Sequence, residues 1–131
     1  MRLTEKSFDE EGAYAMKGAE IDPHNESPWR YLIGIIKEQI HVSQSLDFSI
    51  SEKIVSYEEQ IEKIIDDLKV KDIDPNTCIN MVSAQIDILQ MKGDKESLNK
   101  GVLMAKILQD EDTIRSKYWT MRQEELISLI G

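Results

Sequence analysis

A single cysteine, Cys78, is all the thiol this chain contains. One thiol cannot build an internal disulfide framework, which fits a reducing compartment and predicts a cytoplasmic location. Histidine is nearly as scarce: His24 and His41 lie apart from each other and from Cys78, so no zinc-ligand spacing is present. No apolar run approaches the roughly 20 residues a membrane span needs, and no basic start followed by an apolar core suggests a signal peptide. Positive charge is in deficit, with 16 Lys and Arg against 25 Asp and Glu, a net charge of −9. Nucleic acid and anionic membrane surfaces require basic patches, so this balance argues against both as partners.

Phosphate and calcium motifs are missing as well. No glycine-rich phosphate loop occurs. Asp72-Ile73-Asp74-Pro75-Asn76 has the look of an EF-hand opening, but Thr77 stands where the loop needs glycine and Ser83 where it needs the bidentate glutamate. What remains is a helix cap followed by proline.

Only three prolines and 6% aromatic residues interrupt long segments of 3.6-residue period, so the chain reads as all-helical. Ser7-Phe8-Asp9-Glu10 has the form of a capping box and predicts a first helix over 7–21, with Ala15, Met16 and Ala19 inward. Gly12 and Gly18 weaken it by roughly 1 kcal/mol each relative to alanine. Pro23 ends it. Ser27-Pro28 then opens a second helix, with Trp29, Leu32, Ile33, Ile36 and Ile40 on one face. Residues 41–49 lack that period and read as a loop.

Ser49-Ile50-Ser51-Glu52 offers a second capping box, followed by a stripe of Ile54, Tyr57, Ile61, Ile64, Ile65 and Leu68. The carboxylates from Glu58 to Asp67 surround that stripe as a solvated face. Asp74-Pro75 opens a helix lined by Ile79, Val82, Ile86 and Leu89, and Gly93 closes it in a left-handed cap. Asp94 begins the next, burying Leu98, Val102, Ala105 and Leu108. The last opens near Asp112-Thr113 and carries Ile114, Tyr118, Met121, Leu126 and Leu129. Six one-sided helices with short joints predict three stacked antiparallel pairs with a loose period of about 40 to 50 residues, the range of helical solenoids. A compact bundle would produce the same pattern.

Candidate chemistry is thin. Cys78 lies near a helix start, where the dipole can lower a thiol pKa, but no histidine is near it in sequence and it reads as a small packing residue. Trp29, Tyr31, Tyr118 and Trp119 could stack on a ligand, although aromatic residues beside an apolar stripe usually belong to a core or interface. No set of acid, base and nucleophile is visible.

Asn25-Glu26-Ser27-Pro28-Trp29-Arg30-Tyr31-Leu32 resembles the protein prenyltransferase alpha-subunit repeat. That joint reads proline, any residue, asparagine, a short spacer and tryptophan; Pro23, Asn25 and Trp29 match in order and spacing. Asp110-Glu111-Asp112-Thr113-Ile114-Arg115-Ser116-Lys117-Tyr118-Trp119 is similar to the last part of the alpha subunit shared by protein farnesyltransferase and type I geranylgeranyltransferase. The helix from Leu98 through Leu108 precedes it at the matching distance. The similarity covers residues 8–122, with 41–93 matching only in pattern.

The resemblance implies a single all-α domain over 1–131, a right-handed superhelix of stacked helical hairpins forming the C-terminal part of a longer alpha subunit. It implies a beta-subunit partner that carries zinc and most of the substrate pocket, with magnesium assisting the diphosphate. The heterodimer would transfer a farnesyl or geranylgeranyl group from its diphosphate to a cysteine near the C-terminus of a CaaX protein. Leu32 stands where earlier repeats of the family carry arginine, and the lysine and tyrosine that serve the diphosphate have no counterpart here. No catalytic, cofactor-binding or metal-binding residue is therefore assigned to this chain, which is expected to be inactive alone.

Structural roles follow for the matched residues. Asn25 or Ser27 caps the second helix, Pro23 ends the first, and Trp29 packs between hairpins. Arg115 pairs with an acidic group or a helix end. Tyr118 and Trp119 point in different directions, one of them toward the core. Two other readings stay open: a free-standing helical-repeat module that binds peptides, and the Rab geranylgeranyltransferase alpha subunit.

Overall fold

The structure is a computed structural model. Among the described residues, 5–131, it has six α-helices, two short 3-10 turns and no strand. Residues 1–4 of the expected 1–131 domain lie outside the described residues. Helix α1 is Glu5–Ile21, so Ser7 sits inside the first turn rather than capping it. Glu5 and Lys6 are good helix formers and carry the helix past the expected start. Helix α2 is Glu26–Ser43. Asn25 caps it, its side chain accepting a hydrogen bond from the Ser27 amide at 3.2 Å. Pro28 falls within the first turn, where no intrahelical amide partner is lost.

The expected 41–49 loop is shorter. Helix α2 continues through Ser43 and stops at Gln44, which adopts φ 60°. Helix α3 is Phe48–Val70. Asp47 caps it by accepting from the Ile50 amide at 2.8 Å, in the role expected of Ser49. Asp74-Pro75 opens a 3-10 turn, Pro75–Thr77, before α4 begins as Ile79–Lys92. Gly93 closes α4 at φ 74°, a conformation only glycine adopts freely, and Asp94 caps α5, Lys95–Glu111. A second 3-10 turn, Thr113–Arg115, leads into α6, Ser116–Ile130.

Helices α1 and α2 pack as one hairpin, and α5 and α6 as another. Between them, α4 packs against α5 on one side and α2 on the other, with α3 against α2 and α4. Buried side chains accordingly form two clusters. One joins Ala15, Met16, Ala19, Trp29, Leu32 and Ile36 to Ile54, Ile61, Met81 and Ile88. The other joins Val82 and Ile86 to Leu98, Ala105, Leu108, Trp119 and Leu126. Helix α4 feeds both, which is why it is buried on two faces and not along the single expected stripe. A series of hairpins that share a core helix with each neighbour is a stack, as expected.

The stripes expected on α2, α3 and α5 are buried, apart from partly buried Ile40 and Ile65. On the last stretch the expected stripe holds only at Leu126, which is buried. Ile114 in the 3-10 turn and Tyr118, Met121 and Leu129 on α6 are exposed, and Trp119 and Arg122 face inward in place of Tyr118 and Met121. The i, i+3, i+7 spacing of Trp119, Arg122 and Leu126 is helical, but a charged residue in the middle of the face hides it from a search for apolar periodicity. Gly12 and Gly18 are contact points rather than mere weaknesses. A Cβ on Gly12 would lie 1.9 Å from the Tyr57 hydroxyl, and one on Gly18 3.1 Å from the Pro28 ring.

Candidate functional site

The joint between α1 and α2 is held by its tryptophan. Trp29 is 1% exposed, and its indole Nε1 donates to the Pro23 carbonyl at 2.9 Å. The chain turns so tightly between Pro23 and Asn25 that a ring on the first turn of α2 reaches back over it. The joint before α6 repeats the device. Trp119, also 1% exposed, donates from Nε1 to Asp112 Oδ2 at 2.9 Å, and Arg115 Nε donates to the same oxygen at 2.8 Å. Both tryptophans thus tie a helix to the turn that precedes it, from six residues on in one case and seven in the other. The role of Asp112 was not anticipated from sequence. Tyr118 stays exposed and meets the Trp119 ring edge-on, centroids 4.8 Å apart at 76°.

Folding also brings together groups that are remote in sequence. His24 Nε2 lies 3.4 Å from Cys78 Sγ, and His24 Nδ1 lies 3.9 Å from Asp22 Oδ1. Asn80 Nδ2 donates to the His24 carbonyl at 2.8 Å. Acid, imidazole and thiol stand in the order used by cysteine hydrolases, but Cys78 has no exposed surface and burial pushes its thiol pKa up. A neutral, buried thiol is a poor nucleophile, so the arrangement works as a latch between the first joint and the start of α4. Among the described residues no group of three or more His, Cys, Asp and Glu side chains is placed to hold a metal ion.

The two motif stretches meet in one place. A groove of about 330 Å³ runs across α2, α4 and α6, with Trp29 and Trp119 in its floor. Arg30 and Lys37 reach it from α2, Asn80 and Asp87 from α4, and Arg115 and Tyr118 from the last joint. It continues along α4 and α6 into a second hollow of about 500 Å³, where Met121, Arg122 and Glu125 join Lys37, Asp87 and Tyr118. Asp87 accepts from Arg122 Nη2 at 2.9 Å, while Arg122 Nη1 donates to Gln90 and Glu125. Burial raises the Asp87 pKa, opposed by the charges of Arg122 and Lys37. Arg122 thereby bridges α4 and α6, a role not anticipated from sequence.

The groove offers cations and an exposed aromatic ring but no enclosed pocket and no reactive pair. No described helix is long and apolar enough to cross a membrane.

No family model matches the chain, and no solved structure matches it. In sequence it is similar to the protein farnesyltransferase/geranylgeranyltransferase type-1 subunit alpha of Solanum lycopersicum, at 28% identity over 115 residues. That match takes in 84% of this chain and 32% of the tomato protein, so the chain spans about a third of the length of the curated relative it matches.

Proposed function

We propose that this chain is the C-terminal scaffold portion of a protein prenyltransferase alpha subunit and pairs with a beta subunit. The observation that carries the reading is the repeated joint. Trp29 and Trp119 each tie an indole N–H back to the preceding turn, to the Pro23 carbonyl and the Asp112 carboxylate, at the two stretches that carry the family resemblance. The similarity to the tomato alpha subunit spans most of the chain and agrees with it.

On this reading the intact heterodimer transfers a farnesyl or geranylgeranyl group to a C-terminal cysteine of its protein substrates, in the cytoplasm. Zinc belongs to the beta subunit and magnesium to the diphosphate, and prenyl diphosphate and CaaX substrate reach this chain only through the complex. This part of the alpha subunit contributes shape and contacts. Two of its joints are latched by a buried ring, and a pre-ordered face can hold a partner without first paying to order itself.

Co-expression with a prenyltransferase beta subunit from the same source, purified through a tag on the beta subunit, tests the proposal. A stoichiometric complex is expected. Recovery of the beta subunit alone from cells that hold both proteins in soluble form would overturn it.

A further inference from the structure

One polar side chain on α2 occupies a position that the helical pattern reserves for an apolar one. Gln39 follows Leu32 and Ile36 on the inward face of the helix and is 5% exposed. Its Oε1 is fully enclosed and has no hydrogen-bond partner. Among the described residues its Nε2 makes no hydrogen bond either. A buried amide in that condition costs the fold free energy unless something outside the chain answers it.

A hollow of about 260 Å³ lies where α2 turns into α3, and Gln39 forms part of its wall with Phe8, Val42 and Ile50. Asp47 and Lys53 complete the lining at the first turns of α3. Both of these charged groups are engaged. Asp47 accepts from the Ile50 amide at 2.8 Å, and Lys53 pairs with Asp9 at 3.0 Å. The lining group left without a partner inside is the neutral amide of Gln39.

We propose that this hollow binds a small neutral molecule through a primary carboxamide, which donates an N–H to Gln39 Oε1 and accepts from Gln39 Nε2. A carboxamide answers both ends of the head group, where an ether or ketone answers only one. A half-turn of the Gln39 head exchanges its donor and acceptor, and a carboxamide fits either setting. A ligand carboxylate has no N–H to give and would lie beside Asp47; an ammonium ion has no acceptor and would lie beside Lys53. Phe8, Val42 and Ile50 receive an apolar body. Pockets for drug-sized ligands run to about 300–1,000 Å³, so this smaller hollow suits a body of one ring.

Titration of the isotope-labelled chain with benzamide, followed by proton–nitrogen correlation NMR, tests the site. The Gln39 side-chain amide pair, assigned by through-bond experiments, should shift saturably, with a dissociation constant on the order of 1 mM for so small a ligand. Acetophenone has the same shape and carbonyl but no N–H, and it should bind about tenfold more weakly, as should benzoate. Gln39→Leu should weaken benzamide binding by about the same factor, while Lys63→Gln, exposed on α3, should change nothing.

Equal binding of acetophenone, an affinity unaltered by Gln39→Leu, or a Gln39 amide pair that benzamide leaves in place would each overturn the proposal; in the last case solvent water alone answers the amide. The three ligands are compared on the unsubstituted chain, so the test stands even where Gln39→Leu does not fold. Formation of the beta-subunit complex is a separate measurement, and the proposed function stands or falls without reference to this site.

Discussion

Trp29 and Trp119 allow the strength of the joint latch to be measured against an internal standard. Each is 1% exposed and each donates one ring hydrogen bond of 2.9 Å to a turn residue. Replacing either with phenylalanine removes the same ring N–H and nearly the same volume, so the packing losses largely cancel in the comparison. The acceptors differ. Pro23 offers a neutral carbonyl, and a bond of that kind contributes about 0.5–1.5 kcal/mol. Asp112 is a carboxylate that is 8% exposed, and bonds to charged groups contribute about 1.5–3 kcal/mol. Trp119→Phe should therefore destabilise the protein by about 1–1.5 kcal/mol more than Trp29→Phe does. With a urea slope of roughly 1–3 kcal/mol per molar, that difference separates the two unfolding midpoints by about 0.3–1.5 M. Circular dichroism at 222 nm is the readout, since fluorescence would lose one of its two reporters. Equal midpoints, or a lower midpoint for Trp29→Phe, would refute the assignment of Asp112 as the stronger anchor.

Two further outcomes follow from local geometry. Gly12→Ala should destabilise by about 1–3 kcal/mol, because the added Cβ would drive the buried Tyr57 ring out of place. Gly34→Ala, with nothing within 4 Å of its Cβ, should stabilise α2 by about 0.5–1 kcal/mol. Thermal melts compare the pair, and stabilisation by both would show that the α1–α3 contact is not tight. Asp94 has its pKa lowered by hydrogen bonds from Ser97, first from the hydroxyl and then from the amide. A depressed folded-state value means that its stabilising effect is full above the ordinary aspartate pKa near 3.9 and fades as pH falls through the folded value. The stability gap between wild type and Asp94→Asn, measured by urea titration, should therefore shrink as pH drops below about 4. A gap that is constant from neutral pH to pH 2 would contradict this.

Helix type, number and most inward faces were legible in the sequence because they depend on local spacing and capping chemistry. Ile54, Tyr57, Ile61, Ile64 and Leu68 repeat at helical intervals, and Gly93 followed by Asp94 marks an end and a start within two residues. Boundaries were less legible wherever two polar residues competed to cap. Asp47 took the position expected of Ser49, and Asn25 took the one shared with Ser27, because the residue that caps is the one whose side chain reaches the free amide.

What only the tertiary structure decided is everything that depends on two remote segments meeting. The two-sided burial of α4 reflects neighbours on both sides, which no single helix period encodes. Arg122 could be inward only because Asp87 and Gln90, more than thirty residues earlier, were there to receive its guanidinium. His24 beside Cys78 is a product of the same stacking, 54 residues apart in sequence and 3.4 Å apart in space. The groove itself exists because packing brings the first and last joints together, with Trp29 and Trp119, each locked locally to its own turn, under one surface shared by α2, α4 and α6. Short-range patterning marked Trp29 for burial but left Tyr118 and Trp119 undecided. Long-range packing determined what the buried rings lie beneath, since the energy of that contact depends on the partner face and not on the local sequence.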